Sequence, residues 1–115
     1  MKEVALPPIV ESAKNRPLGI DPRSGLFVYY DDLDRGKKLT PLSKLQDKDL
    51  LKLAIERQLT NEPGLTVTLN GESFTNEQLA NEMRLGTKIG KQMFDADINY
   101  LKFYLSQFPE ECFQG

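Results

Sequence analysis

The stretch TKIGKQMFDADINYLKFYLSQF, residues 87–108, decides the fold. At about 100° per residue, Phe94, Ile98, Leu101, Leu105 and Phe108 fall on one narrow stripe with alternating four- and three-residue spacing. Ile89, Met93, Tyr100 and Tyr104 fall on a second stripe roughly a third of a turn away. Lys88, Lys91, Gln92, Asp95, Asn99, Lys102 and Ser106 share what remains, and Phe103 sits among them, far from the narrow stripe. A surface helix needs an apolar band of only ~100°, whereas this one covers about half the cylinder. The pattern predicts one long helix with a side for its own domain and a surplus apolar side for a partner or a wrapping arm.

The elements around it follow from local signals. Thr75 and Gln78 have capping-box spacing, with Phe74 and Leu79 at the positions of a hydrophobic staple. The helix they start is expected to run to about Leu85 and stop at Gly86, which suits a left-handed C-cap. Thr87 then caps the long helix, and Pro109 lies just past its end. Residues 65–69 alternate, so a strand there buries Leu65, Val67 and Leu69, with Asn70-Gly71 as a tight turn. Leu50, Leu51, Ala54, Ile55 and Leu59 keep helical spacing over 47–59; Thr40-Pro41 signals a helix start before them, and residues 61–64 stop the helix. Residues 26–30 read as a strand and 31–38 as a polar turn.

Four prolines, Pro7, Pro8, Pro17 and Pro22, fall in the first 22 residues. Each removes a backbone donor and biases its predecessor toward extended geometry. Residues 1–24 are therefore expected to form an extended, Pro-rich arm lying on its own domain or on a sister chain. Residues 25–115 are expected to form a single α+β domain: a small two- or three-stranded sheet, two shorter helices and the long C-terminal amphipathic helix. A third strand would come from the arm, from residues 72–74, or across a dimer. A parallel βαβ unit also fits, since 31–64 is long enough for a crossover.

Composition limits the chemistry. The chain has 115 residues, 15 basic against 17 acidic, so it carries no cationic field that would attract nucleic acid or anionic lipid. Its N-terminus has no signal-peptide pattern, no window has the ~18 apolar residues of a membrane span, and Cys112 is the single cysteine; together these lead to a cytoplasmic expectation. Histidine is absent, which removes the usual general base and the commonest metal ligand. Cys112, expected near a mobile C-terminus, stands beside Glu110 and Glu111, whose charge would raise its pKa. Asp31, Asp32 and Asp34 supply carboxylates after a strand, but without the glycine and glutamate offsets of a calcium loop, so a solvated acidic turn is the expectation. No cofactor, metal or catalytic residue is assigned.

Asp97 is the oddest residue. It lies between the two apolar stripes, where an unpaired charge is costly to bury, so a structural partner is the expectation, an arginine from elsewhere in the fold or a register-setting contact in a helix pair; local exposure and a catalytic acid of raised pKa are the lesser readings. The leading functional expectation is a non-enzymatic protein–protein interaction protein, adaptor or regulator, that pairs with a protein partner or with itself as a homodimer. Its contact residues would be Phe94, Ile98, Leu101, Phe103, Tyr104, Leu105 and Phe108, with Phe103 as the best exposed anchor. The alternative is a helix-turn-helix DNA-binding regulator over 75–93, with Arg84, Lys88 and Lys91 on phosphates and Thr87, Lys88 and Gln92 on base edges. Its register is poor, because Arg84 stands where the turn glycine belongs and Gly90 where a branched apolar residue belongs. A third reading, an enzyme or ligand binder built on Asp31, Asp32 or Asp97, has no supporting motif.

Overall fold

A computed structural model of the chain describes residues 6–62, 64 and 66–114. Leu65 and the first five residues of the expected arm lie outside the described residues. The fold is α+β. Among the described residues, two separate antiparallel hairpins, β1 (Gly19–Ile20) with β2 (Phe27–Val28) and β3 (Val67–Leu69) with β4 (Glu72–Phe74), accompany four α-helices. These are α1 (Tyr30–Asp34), α2 (Asp47–Leu59), α3 (Asn76–Leu85) and α4 (Lys88–Leu105). Both the arm and residues 72–74 add strands, yet β2 and β3 share no sheet, so the parallel βαβ arrangement is not formed.

The capping signals act as their chemistry requires. Thr75 Oγ1 accepts from the Gln78 N–H while Gln78 Oε1 accepts from the Thr75 N–H, and Gly86 ends α3 at φ 68°. Thr87 Oγ1 accepts from the Gly90 N–H at 3.1 Å and so starts α4. The turn between α3 and α4 is tight because Gly90 has no side chain: a Cβ there would stand 2.0 Å from the Glu82 carbonyl oxygen. Asn70 and Gly71, at φ 51° and 82°, make the two-residue hairpin turn.

Three expectations are corrected. The strand over 26–30 shrinks to Phe27–Val28, and part of the expected polar turn is helix α1. The Asp32 carboxylate accepts from the Tyr29 N–H at 2.9 Å, and Asp31 and Asp32 in the first turn suit the positive end of the helix. The extended Pro-rich arm gives way to a 3-10 turn, Glu11–Asn15, followed by β1, with Pro17, Leu18, Gly19 and Ile20 buried in the chain's own fold. The C-terminus is tied down rather than mobile: the Leu39 N–H donates to the Cys112 carbonyl, the Gln114 N–H donates to the Leu39 carbonyl, and Lys38 Nζ reaches the Glu111 carbonyl.

One core cluster joins Leu18, Val28, Leu33, Leu39, Leu42, Leu53, Leu101, Leu105, Phe108 and Cys112. A smaller one joins Ala54, Met83 and Ile98. Helices α2 and α4 each contribute to both, α2 through Leu53 and Ala54 and α4 through Leu101, Leu105 and Ile98, so this pair joins the two clusters. Helix α4 stops at Leu105, and the turn beyond folds Phe108 back under Tyr30 and Tyr104, with ring centroids 6.5 and 5.1 Å away.

Candidate functional site

The narrow stripe of α4 is not a partner surface. Ile98, Leu101, Leu105 and Phe108 are buried in the chain's own core, and Phe94 is half-buried against the smaller cluster. The apolar surplus is real, but α2, α3, Val28 of β2, residues 6–18 and the C-terminal turn cover most of it. What stays outside is a shorter seam. Ala96, Tyr100 and Phe103, at i, i+4 and i+7, share the outer side of α4, with Tyr100 55% and Phe103 69% exposed.

Asp97 has the arginine partner expected for it, and a second. Arg57 Nε donates to Asp97 Oδ2 at 2.9 Å and Arg57 Nη2 to Oδ1 at 3.2 Å, a side-on fork on one carboxylate. Arg16 Nη2 donates to the same Oδ1 at 3.3 Å. The cations also tie backbone together: Arg57 Nη1 donates to the Pro17 carbonyl at 2.9 Å, and Arg16 Nε to the Arg57 carbonyl at 3.0 Å. The second bond satisfies a carbonyl in the last turn of α2 that has no helical partner. Residues 16–17, the end of α2 and the middle of α4 are thus clamped at one point.

Two guanidiniums face one carboxylate, leaving a surplus of one positive charge in a largely buried place. Burial, then the like charge of Arg57, holds the Arg16 guanidinium below its usual pKa, and Asp97 opposes them. Beside this cluster is a cavity of about 190 Å³ between the 8–16 segment and α4. Its walls include Ile9, Val10, Tyr100 and Tyr104, and Arg16 and Arg57 also line it. Tyr104, expected as a marginal contact, supports this wall: its hydroxyl donates to the Pro8 carbonyl and its ring stacks on Tyr100 at 6.2 Å. Burial raises its phenol pKa.

The residues of the DNA-binding alternative do not form one surface of free donors. Arg84, Lys88 and Lys91 are exposed, but the Thr87 hydroxyl is engaged in capping α4 and in bonds to Glu82. Among the described residues no group of three or more Asp, Glu or Cys side chains is placed to hold a metal ion. Asp32 is used to cap α1, and Asp31 faces Lys14 at 3.7 Å. Among the described residues, no helix is long and apolar enough to cross a membrane.

The sequence signal that would have located Arg57 is its position on α2. With Leu50, Leu53 and Ala54 it completes an i, i+3, i+4, i+7 stripe, so a lone arginine stands on an apolar arc, matching Asp97, the aspartate of α4 that lies between the apolar stripes. Arg16 carries no such signal. No family model matches the chain, and neither the curated proteins nor the solved structures compared with it include a match.

Proposed function

We propose that this chain is a non-enzymatic protein-binding module whose contact face is the outer side of α4 together with the groove between α4 and residues 8–16. One observation carries the reading. Among the described residues, three of the five large exposed apolar ones, Val10, Tyr100 and Phe103, border this groove or the helix edge beside it. Apolar side chains scattered singly over a surface are ordinary, whereas a cluster with a cavity beside it marks a contact site. Tyr and Phe are efficient anchors because they bring large contact area at little rotamer cost. The occupant is a segment of another protein, and the surplus cation at the groove floor favours one with acidic character. The buried free thiol of Cys112 fits a reducing, cytoplasmic setting for this role.

The test is selection from a displayed library of random peptides on the full chain, repeated on Tyr100→Ser/Phe103→Ser. The reading expects peptides enriched on the wild type that are lost on the double variant, while both proteins melt alike. Enrichment of nothing, or of peptides indifferent to both changes, contradicts it. Light scattering that shows a stable dimer abolished by the double change would make the occupant a second copy and overturn the choice of a foreign partner.

A further inference from the structure

We infer that the cavity over Arg16 and Arg57 is an anchor pocket for one acidic side chain, Asp or Glu, of a docked peptide whose neighbouring apolar residue lies on Tyr100 and Phe103. This rests on the docking reading above and names the chemistry of the partner.

Size is the first argument. A cavity of about 190 Å³ is slightly larger than the ~150 Å³ that accommodates a benzene ring and smaller than the ~300–1,000 Å³ of common small-molecule sites. It admits one side chain. The mouth also opens beside an exposed aromatic edge, as a peptide anchor requires and a closed metabolite site does not.

Charge is the second. The ionised groups lining the pocket are both cations, and the one carboxylate compensating them, Asp97, is already shared between them. Arg57 spends Nε and Nη2 on Asp97 and Nη1 on a backbone carbonyl. Arg16 spends only Nε and Nη2, so among the described residues its Nη1 has no protein acceptor. A guanidinium with an unengaged Nη1, lining a cavity of mixed polar and apolar walls, is matched to a carboxylate. A second carboxylate would neutralise the cluster, converting two cations on one anion into two on two. An amide has the same shape without that charge, so the pocket should separate Glu from Gln.

The clamp holds the Arg16 side chain in place. Arg16 is held from one side by the Arg57 carbonyl and from the other by Asp97, so its remaining face is presented before any ligand arrives. Little side-chain ordering is then left to oppose binding.

The test is an NMR titration of the isotope-labelled full chain that follows the Arg16 and Arg57 Nε–H signals and the Tyr100 amide. The probes are acetyl-Phe-Glu-amide, its neutral twin acetyl-Phe-Gln-amide, and propionate. The expected result is saturable movement of Arg16 Nε–H by the Glu peptide, with an affinity at least ~tenfold above that of the Gln twin. Arg16→Gln should erase that preference. Equal affinity of the twins with Tyr100 moving overturns the acidic anchor while the docking face survives. Propionate binding as tightly as the Glu peptide overturns the peptide as occupant. A Glu peptide that leaves Arg16 unmoved overturns the pocket itself. Library selection tests the docking face separately: its failure overturns the anchor together with that face, whereas twins of equal affinity overturn the anchor alone.

Discussion

Arg57 and Asp97 stand 40 residues apart in sequence and 2.9 Å apart in space, and their contact fixes α2 against α4. Arg57 is 2% exposed, so water does little to relieve either charge if the other is removed. Replacing Asp97 by Ala leaves two guanidiniums facing each other at the clamp. The expected loss is about 3–5 kcal/mol, the usual penalty for stranding a buried charge. Urea unfolding of Asp97→Ala measures it, and a loss below ~1 kcal/mol would show that the triad is solvated.

The inner and outer sides of α4 should differ sharply. Leu101 and Leu105 are buried in the main cluster, so truncating either to Ala should cost about 2–5 kcal/mol. Phe103 is 69% exposed, so Phe103→Ser should stay within about 0.5 kcal/mol of the wild type. Thermal melting of the three variants decides which side is core.

Gly90→Ala tests the α3–α4 turn, because two effects oppose each other. Helix propensity alone favours Ala by roughly 1 kcal/mol. The added Cβ meets the Glu82 carbonyl oxygen at 2.0 Å, and that atom is backbone, unable to rotate away. Overpacking of this kind costs about 1–3 kcal/mol, so the net change should be destabilising. A variant that melts higher than the wild type would contradict the close approach.

Cys112 gives a pH dependence with a definite sign. Burial raises the thiol pKa, Glu111 adds to the rise and Lys38 opposes it. The unfolded thiol ionises near pH ~8.5 while the folded one stays protonated. Its stabilising contribution is complete below that pH and is lost as pH climbs toward the folded value. Tyr29 and Tyr104, also raised by burial, add a second loss that begins near pH ~10. Stability measured from about pH 7 to about pH 10 should fall, and Cys112→Ala should flatten the earlier part of that fall. The native thiol should also react slowly with disulfide reagents.

Where the signal was local, the reading of the sequence and the structure agree: the Thr75–Gln78 box, Gly86, Thr87 and the span of α2 all depend on neighbours a few residues apart. Where the deciding contact was distant, they part. The apolar positions chosen for α2 were Leu50, Leu51, Ala54, Ile55 and Leu59, but the buried face is Leu53, Ala54, Arg57 and Gln58. Polarity hid the last two, since an arginine is buried only when a carboxylate awaits it and a glutamine when an amide does. Gln58 donates to Asn76 Oδ1 at 2.9 Å, and Asn76 in turn donates to the Asn61 carbonyl. Helix α1 is the local exception: Asp32 stands three residues after Tyr29, the spacing of the Thr75–Gln78 box, but the strand preference of Tyr29-Tyr30 outweighs it in the sequence. The surplus of apolar surface on α4 was legible; that residues 6–18 and the C-terminal turn would cover most of it was not.

If Tyr100 and Phe103 form a docking edge, calorimetry on a peptide obtained by selection should show it. Truncation of an anchor residue should weaken binding by ~2 kcal/mol, roughly thirtyfold. The account predicts that loss for Phe103→Ala or Tyr100→Ala, with both variants folded, and no change for Leu26→Ala, an equally exposed apolar residue elsewhere. Equal dissociation constants for the wild type and both α4 variants would contradict it.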